Sequence, residues 1–201
     1  MEDIKAAKKE LRAAMKTLLK GVAREDAEKA SLGVLAELES LEQWKNSDLV
    51  LAFLSMEDEL DTEPILRRVL EPGKMLAVPK VVGDDLVFYQ IKNISSDTAP
   101  GAFGILEPVP GLPEIDMKTL SELHSVALVP GLAFDKENFR LGRGKGFYDR
   151  FFASCGNSLY KIGTGYSFQL VEQVLTKPTT LNLTQLYCHP ELFSEFLAIV
   201  V

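Results

Sequence analysis

Residues 48–79 read DLVLAFLSMEDELDTEPILRRVLEPGKMLAVP, and the succession of patterns within them decides the fold class. Asp48–Leu54 is an apolar run too short for a helix and rich enough in Leu, Val and Phe for a strand buried on both faces. It ends at Ser55. From Asp61 the apolar residues Ile65, Leu66, Val69 and Leu70 recur at helical spacing, with Asp61 or Thr62 available as cap and Pro64 in the first turn, where a missing N–H is tolerated. Pro72-Gly73 stops that helix, and Lys74–Pro79 supplies a second short apolar strand. Strands separated by a helix argue for parallel pairing, with the sheet covered on both faces.

Outward from this unit the same alternation continues. The Gly83-Asp84-Asp85 turn leads to a strand at Leu86–Ile91. Upstream, Ala7, Leu11, Met15, Leu18 and Val22 form one face of a helix beginning near Ile4, while Lys5, Lys9, Arg12 and Lys16 fall on another. A second helix is expected over Glu25–Gln43, through Ala27, Ala30, Leu35, Leu38 and Leu41, with Gly33 in its middle. Residues Asn93–Asp116 hold so many Pro and Gly breakers that an ordered loop without regular elements is expected. Further helices are expected at Lys118–Leu123, after Gly146 through Phe147, Arg150, Phe151 and Phe152, and at Phe168–Val174; further strands at Ser125–Val129, Lys161–Gly165 and Phe196–Val201. The expected fold is one α/β domain, residues 1–201, of three layers with a mostly parallel sheet flanked by helices. Such sheets bind ligands beyond the carboxyl ends of their strands, which singles out Ser55–Asp61, Pro79-Lys80 and Pro130–Asp149.

Composition narrows the function classes. The 201 residues carry 22 Lys+Arg against 29 Asp+Glu, a net charge of −7, with 46% hydrophobic residues, which suits a core and excludes disorder. An acidic balance disfavours generic nucleic-acid coating. The apolar stretches Leu49–Leu54 and Val126–Phe134 fall short of the ~20 residues that cross a bilayer. The start, MEDIKAAKKELRAAMK, has no apolar signal core, so a soluble cytoplasmic protein without membrane or nucleic-acid partners is expected. Cys155 and Cys188 read as reduced thiols. His124 and His189 are far apart in sequence and have no Cys or acid at ligand spacing, and no nucleophile with a local base stands out.

The chemistry concentrates at Arg140–Asp149, RLGRGKGFYD. Gly142, Gly144 and Gly146 alternate with Arg143 and Lys145, so backbone can approach a ligand while two cations project and a helix start follows: an anion cradle. The glycine spacing is not a dinucleotide fingerprint, and Lys145 is followed by Gly, so it is not a Walker loop either. Read blandly it is a basic surface loop. Asp149 argues against that, since a carboxylate beside a phosphate cradle suits a magnesium ion that bridges phosphate oxygens; as a purely structural residue it offsets the helix dipole.

The longer run Leu128–Asp149, LVPGLAFDKENFRLGRGKGFYD, resembles the signature of the 5-formyltetrahydrofolate cyclo-ligases. KKELR at Lys8–Arg12, LSMEDELDT at Leu54–Thr62, FGILEP at Phe103–Pro108 and IGTGY at Ile162–Tyr166 match in order, so the resemblance spans about residues 4–170. It implies ATP-dependent cyclisation of 5-formyltetrahydrofolate to 5,10-methenyltetrahydrofolate by a monomer, with ATP as co-substrate and magnesium as cofactor. Lys8 and Arg12 would touch the nucleotide phosphates, as would the segment Arg140, Leu141, Gly142, Arg143, Gly144, Lys145, Gly146, Phe147 and Tyr148, with Lys145 and Arg143 catalytic. Met56 and Asp61 would hold the folate, Phe103, Phe147 and Tyr148 would flank its pterin, and Asp149 would hold magnesium. Read without the resemblance, Lys8 and Arg12 are a solvated pair on one helix face, Asp61 is a helix cap and the aromatic residues pack a core.

Three positions depart from the signature. Asn138 stands where Gly is usual, but accepts a left-handed backbone, so the turn should survive. Phe147 replaces a tyrosine. The tail, Lys177–Cys188, lacks the family's second metal acid, and no Asp follows Asp149. A folate- or nucleotide-binding relative with reduced or lost turnover is therefore the alternative reading.

Overall fold

The apolar run at 49–54 becomes the centre of the sheet because both of its faces are covered. The computed structural model of the chain describes residues 2–71, 73–101, 104–155, 159–175, 183 and 185–189, with the backbone alone for Glu2 and 185–189. In chain order the elements are α1 (Glu2–Lys20), α2 (Arg24–Ser40), α3 (Glu42–Lys45), β1 (Leu49–Leu51), α4 (Glu63–Val69), β2 (Met75–Val82), β3 (Asp85–Ile91), α5 (Ile94–Asp97), β4 (Thr98–Pro100) and β5 (Leu106–Pro108). They continue with α6 (Met117–Glu122), β6 (Ser125–Val129), β7 (Ala133–Asp135), β8 (Arg140–Leu141), α7 (Phe147–Cys155), β9 (Leu159–Tyr166), β10 (Leu170–Val171) and β11 (Gln185–His189).

The main sheet has the order β11-β9-β6-β1-β2-β3, and only the β2–β3 hairpin is antiparallel. Because side chains alternate along a strand, Val50 and Ala52 join Leu76, Val78, Val126, Leu128 and Ile162 beneath Met15 and Leu19 of α1, Val34 and Leu38 of α2, and Ile65 and Leu66 of α4. On the opposite face Leu49 and Leu51 pack with Ala77, Ala127, Val129 and Leu159 against Leu120 of α6 and Phe151, Phe152 and Cys155 of α7. The fold is α/β, with a mostly parallel central sheet flanked by helices, as expected. Each fully buried Leu, Val or Ile here contributes about 1.5–3 kcal/mol of burial.

From β1 the chain steps through α4 to β2 on one side, and later returns to lay β6 on the other side of β1. The strand order therefore reverses at β1, where the carboxyl ends of β1 and β6 lie side by side, the usual ligand position in such sheets.

Several local expectations are corrected. The helix expected over 25–43 is broken at Leu41, whose extended backbone (φ −77°, ψ 134°) separates α2 from α3, while Gly33 stays helical. Along α1 the buried stripe runs through Met15 and Leu19 and leaves Leu18 exposed. Residues 93–116 are not free of regular structure. The Asn93 side chain accepts the N–H groups of Ser95 and Ser96 to start α5, and β4 pairs antiparallel with β5, with Gly101 in the connection where the sequence showed breakers.

Phe168–Val174 is not helical beyond a 3₁₀ turn at Ser167–Gln169, because β10 pairs with β7 and Gln169 is drawn inward. That side chain accepts the Tyr166 N–H at 2.8 Å and donates to the Gly131 carbonyl at 2.7 Å. The small sheet β10-β7-β8 was not anticipated. Pro79-Lys80 is not a strand end either: β2 runs on to Val82, and Lys80 faces Glu107 at 3.4 Å. The expected strand at Phe196–Val201 and the Pro72 stop lie outside the described residues. Among the described residues no helix is long and apolar enough to cross a membrane, and Cys155 is a buried free thiol.

The two cap candidates divide their roles. Asp61 Oδ1 accepts the Glu63 N–H at 2.9 Å, whereas the fully buried Thr62 donates its hydroxyl to the Phe53 carbonyl at 2.7 Å and so ties the start of α4 to the chain leaving β1. Thr62→Val keeps the shape and leaves that carbonyl unpaired, so we expect a loss of about 1–3 kcal/mol in urea unfolding; unchanged stability would show that the bond contributes nothing.

Candidate functional site

Loops from the carboxyl ends of β1, β6 and β9 build the site. After β1 the chain turns through Ser55–Leu60, where the Glu59 N–H donates to the Met56 carbonyl at 3.1 Å and closes a tight loop. Met56, Glu59 and Asp61 line a cavity of about 290 Å³ whose far wall is Tyr166 at the end of β9. Asp61 Oδ1 is taken by the Glu63 N–H and, at 3.4 Å, the Ser55 hydroxyl; among the described residues Oδ2 accepts nothing. A neighbouring lobe of about 570 Å³ lies along Met56 and includes Lys20, Gly104 and Ile105. Phe103, adjacent to that lobe in sequence, lies outside the described residues.

The glycine-rich loop is held from behind by Asp135. Its buried carboxylate accepts the N–H groups of Glu137 (3.0 Å), Phe139 (2.9 Å) and Val174 (2.8 Å), shaping the β7–β8 turn, where Asn138 adopts φ 65° as its sequence allowed. The cations that follow look alike in sequence and meet different fates. Arg140 is buried, donating to the Pro130 carbonyl and to Asp149 Oδ1, both at 2.9 Å, and its guanidinium lies 5.6 Å from the Tyr148 ring centroid. A Cβ on residue 142 would come within 2.8 Å of the Arg140 guanidinium, so any larger residue there has to displace that group. Leu141 is core.

Arg12 reaches across from α1 and donates to the Gly142 carbonyl at 2.9 Å, with its guanidinium over Gly144, whose φ of 105° also calls for glycine. Lys8 sits one turn back and is half-buried. Lys145 is exposed and, among the described residues, has no ion-pair partner. Its carbonyl accepts Arg150, which also donates to the Asp84 carbonyl and covers the Phe147 ring. Phe147 and Tyr148 pack against the core under α7 and do not line the Met56–Asp61 cavity.

Arg143 turns away from the cradle. It makes a two-point pair with Asp58 (2.5 and 3.2 Å) and donates Nε to Glu59 Oε1 at 3.1 Å, joining the glycine-rich loop to the loop after β1. Burial raises the Asp58 carboxyl, but the hydrogen bond and charge of Arg143 outweigh it and leave it lowered. At the more deeply set Glu59 burial wins over the same guanidinium, and the carboxyl is raised. Burial also pushes the Tyr148 phenol up, with Glu59 adding to the effect, and the Tyr166 phenol up to about 12, with Asp61 adding.

Among the described residues no group of three or more His, Cys, Asp or Glu could hold a metal. Asp149 offers one carboxylate oxygen, Oδ2, since Oδ1 belongs to Arg140. This fits an ion carried in on a ligand's own oxygens, not an all-protein cage.

A crevice at the reversal point of a parallel sheet, lined by Asp61 and joined through Arg143 to a cationic glycine-rich loop, defines an α/β protein with a ligand-binding sheet end. The family model described as the 5-formyltetrahydrofolate cyclo-ligase family matches residues 4–187, and the chain belongs to that family. The mouse 5-formyltetrahydrofolate cyclo-ligase is 31% identical over 156 residues, 76% of this chain and 76% of its own. The NMR structure of Aquifex aeolicus 5,10-methenyltetrahydrofolate synthetase is 32% identical with a TM-score of 0.77, over 89% of this chain and 88% of that one. The structure of the 5,10-methenyltetrahydrofolate synthetase from Mycoplasma pneumoniae is 19% identical with a TM-score of 0.70, over 89% and 96%, and shows the shared fold.

Sequence reading gave no role to Asp58, Glu59, Asp135, Gln169 or Tyr166. Their partners are between 2 and 107 positions away, and the one available signal was that Asp58, Glu59, Asp135 and Tyr166 fall inside the quoted motifs. Arg143 interacts favourably with its acids only while they are ionised. The stability gap between the parent and Arg143→Met should therefore be full at neutral pH and shrink as pH falls through the Asp58 range. Urea midpoints taken from neutral pH down to about pH 3 check this; a gap independent of pH would contradict it.

Proposed function

We propose that the chain catalyses the ATP-dependent cyclisation of 5-formyltetrahydrofolate to 5,10-methenyltetrahydrofolate, releasing ADP and phosphate. The observation that carries this reading is a juxtaposition: Asp61 lines one cavity, and the glycine-rich loop, held by Arg12 and tied through Arg143 to the loop that lines that cavity, presents the exposed Lys145. A carboxylate suits the donor edge of a pterin, and backbone N–H groups with cations suit a triphosphate.

A formamide carbon is a poor electrophile. In the proposed sequence the formyl oxygen attacks the γ-phosphorus and ADP leaves; the nitrogen at position ten then adds to the activated carbon, loses its proton, and phosphate departs. Lys145 would neutralise charge on the transferring phosphoryl group, and Arg12 would hold the loop against the nucleotide. Met56 and Asp61 would fix the folate, and Phe103 would flank its pterin as the family resemblance implies. Phe147 and Tyr148 would support the cradle from below, with Arg140 between Tyr148 and Asp149. Magnesium would lower the charge of the bound triphosphate, with Asp149 Oδ2 as its protein ligand. The two hydrophobic clusters lie on opposite faces of one sheet, which supports treating residues 1–201 as one domain. Family membership favours turnover over the binding-only alternative.

Formation of the methenyl product, followed by its absorbance with and without ATP and magnesium, tests the reading. Lys145→Ala should lose about 3 kcal/mol of transition-state stabilisation, roughly a hundredfold in turnover, with folate binding retained; turnover within a few-fold of the parent would remove Lys145 from the phosphoryl site. Asp61→Asn keeps an oxygen for the α4 cap and should weaken folate binding in calorimetry while nucleotide binding holds; equal loss of both ligands would reject the pterin assignment. Asp149→Asn should raise the magnesium concentration needed for half-maximal turnover, and an unchanged requirement would take Asp149 off the metal.

A further inference from the structure

One cation beside the glycine-rich loop has no part in the chemistry proposed above. Arg150, one turn into α7, is exposed, and among the described residues it pairs with no acid. Its hydrogen bonds go to backbone carbonyls instead. The Arg150 N–H donates to the Gly146 carbonyl at 3.0 Å, Nη1 donates to the Lys145 carbonyl at 2.9 Å, and Nη2 donates to the Asp84 carbonyl at 2.6 Å. The guanidinium carbon lies 5.2 Å from the Phe147 ring centroid, so a ring of the same helix steadies it. Asp84 is in the turn between β2 and β3, and the hairpin tip thus braces the far side of the guanidinium.

Two consecutive carbonyls of the loop are therefore held by one residue, and this decides where the N–H groups of the same peptides point. In a planar trans peptide the N–H is antiparallel to the C=O. With the Lys145 carbonyl turned to Arg150, the Gly146 N–H faces the opposite side of the loop, away from the hairpin tip. With the Gly146 carbonyl taken into α7, the Phe147 N–H faces off the start of that helix. Neither N–H meets an acceptor among the described residues. Gly146 has φ 72°, and a Cβ there would stand 3.1 Å from Arg150 Nη1, so glycine both permits this backbone and lets the guanidinium close on it. The exposed Lys145 starts the first of the two peptides.

We propose that Arg150 is a positioning residue for the nucleotide: by holding the carbonyls of Lys145 and Gly146 it turns the N–H groups of Gly146 and Phe147 outward to receive phosphate oxygens, without touching the nucleotide itself. This rests on the assignment of the glycine-rich loop to ATP given under Proposed function. Amides already set in place bind an anion without first giving up other orientations, and a hydrogen bond weakens steeply once its donor is misaligned. Charge alone does not replace the arrangement. A lysine at 150 keeps the charge but ends where the guanidinium carbon stands, one bond short of both carbonyls. A methionine keeps a stem over Phe147 and loses both donors.

Calorimetry on Arg150→Lys and Arg150→Met, with a non-hydrolysable ATP analogue plus magnesium and separately with 5-formyltetrahydrofolate, supplies the test. Nucleotide affinity should fall about tenfold or more in both variants, the size of one hydrogen bond to a charged group, while folate affinity stays within about twofold of the parent. Amide NMR spectra add a readout that a general loss of stability would not move. The Gly146 and Phe147 resonances should shift when the nucleotide is added to the parent and stay near their free positions in the variants, even at saturation. Parent-like nucleotide affinity in Arg150→Lys would show that charge alone suffices and would overturn the proposal. Equal loss of both ligands in both variants would overturn it too, as would Gly146 and Phe147 shifts retained at saturation. A parent that binds both ligands and forms no methenyl product would instead strike the functional reading and leave the positioning role standing; a parent that binds no nucleotide would overturn both.

Discussion

The parallel pairing of β1 with β2 on one side and β6 on the other is the constraint on which the rest of this structure depends. Leu49–Leu51 is three residues long, yet it is paired along both edges, to Met75–Ala77 and to Ser125–Ala127. A slip of one position on either side would turn Leu49 and Leu51 toward α1, α2 and α4, and Val50 toward α6 and α7, and would mismatch both cores at once. The register therefore has little freedom. With it fixed, the chain leaving β1 and the chain leaving β6 emerge side by side at one end of the sheet, and the crevice between them follows from topology before any ligand-binding residue is considered.

Within that crevice, burial sorts the charges. The protein is acidic overall, and a cation near the core is tolerated only where an acid or carbonyl meets it. Arg140, deepest of the set, is held by Asp149 and the Pro130 carbonyl; Arg143, at intermediate depth, by Asp58 and Glu59; Lys145, at the rim, has no ion-pair partner among the described residues. The cation left available for an incoming anion is thus the one that solvent already satisfies. The acids follow the same rule: Arg143 lowers Asp58, while at the less exposed Glu59 burial prevails, although both touch one guanidinium.

Scaffold and site also share atoms. Asp61 gives one oxygen to the first turn of α4 while the residue also lines the cavity, and Thr62 beside it anchors the loop to Phe53. Asp135 and Gln169 hold the turns on either side of Gly131 and the cradle without lining the crevice themselves. The precision of the cradle therefore comes from buried polar residues whose bonds are made to backbone, where a missing partner would cost about 1–3 kcal/mol each.

Local pattern was enough for the existence of the elements that period and composition define, β1, β2, β3 and β6 with α1, α4 and α7, and from them the α/β class, although it ended β2 at Pro79 and not at Val82. It was enough also for the glycine loop and for the left-handed turn at Asn138, because glycine spacing and asparagine's tolerance of positive φ are properties of single residues. It was not enough for β7, β8 and β10, which are two or three residues each and too short to show a period: β7 and β8 close a tight hairpin, and β10 joins β7 from a distant part of the chain. Nor could it separate Arg140, Arg143 and Lys145, which alternate with glycine and leucine in one short run. Their roles depend on which acids the fold brings near, and Asp58 and Glu59 lie 85 and 84 residues from Arg143. Residue chemistry announces that an anion site exists. Which cation stays free to serve it is a matter of burial and of long-range pairing, and those are set only when the sheet closes.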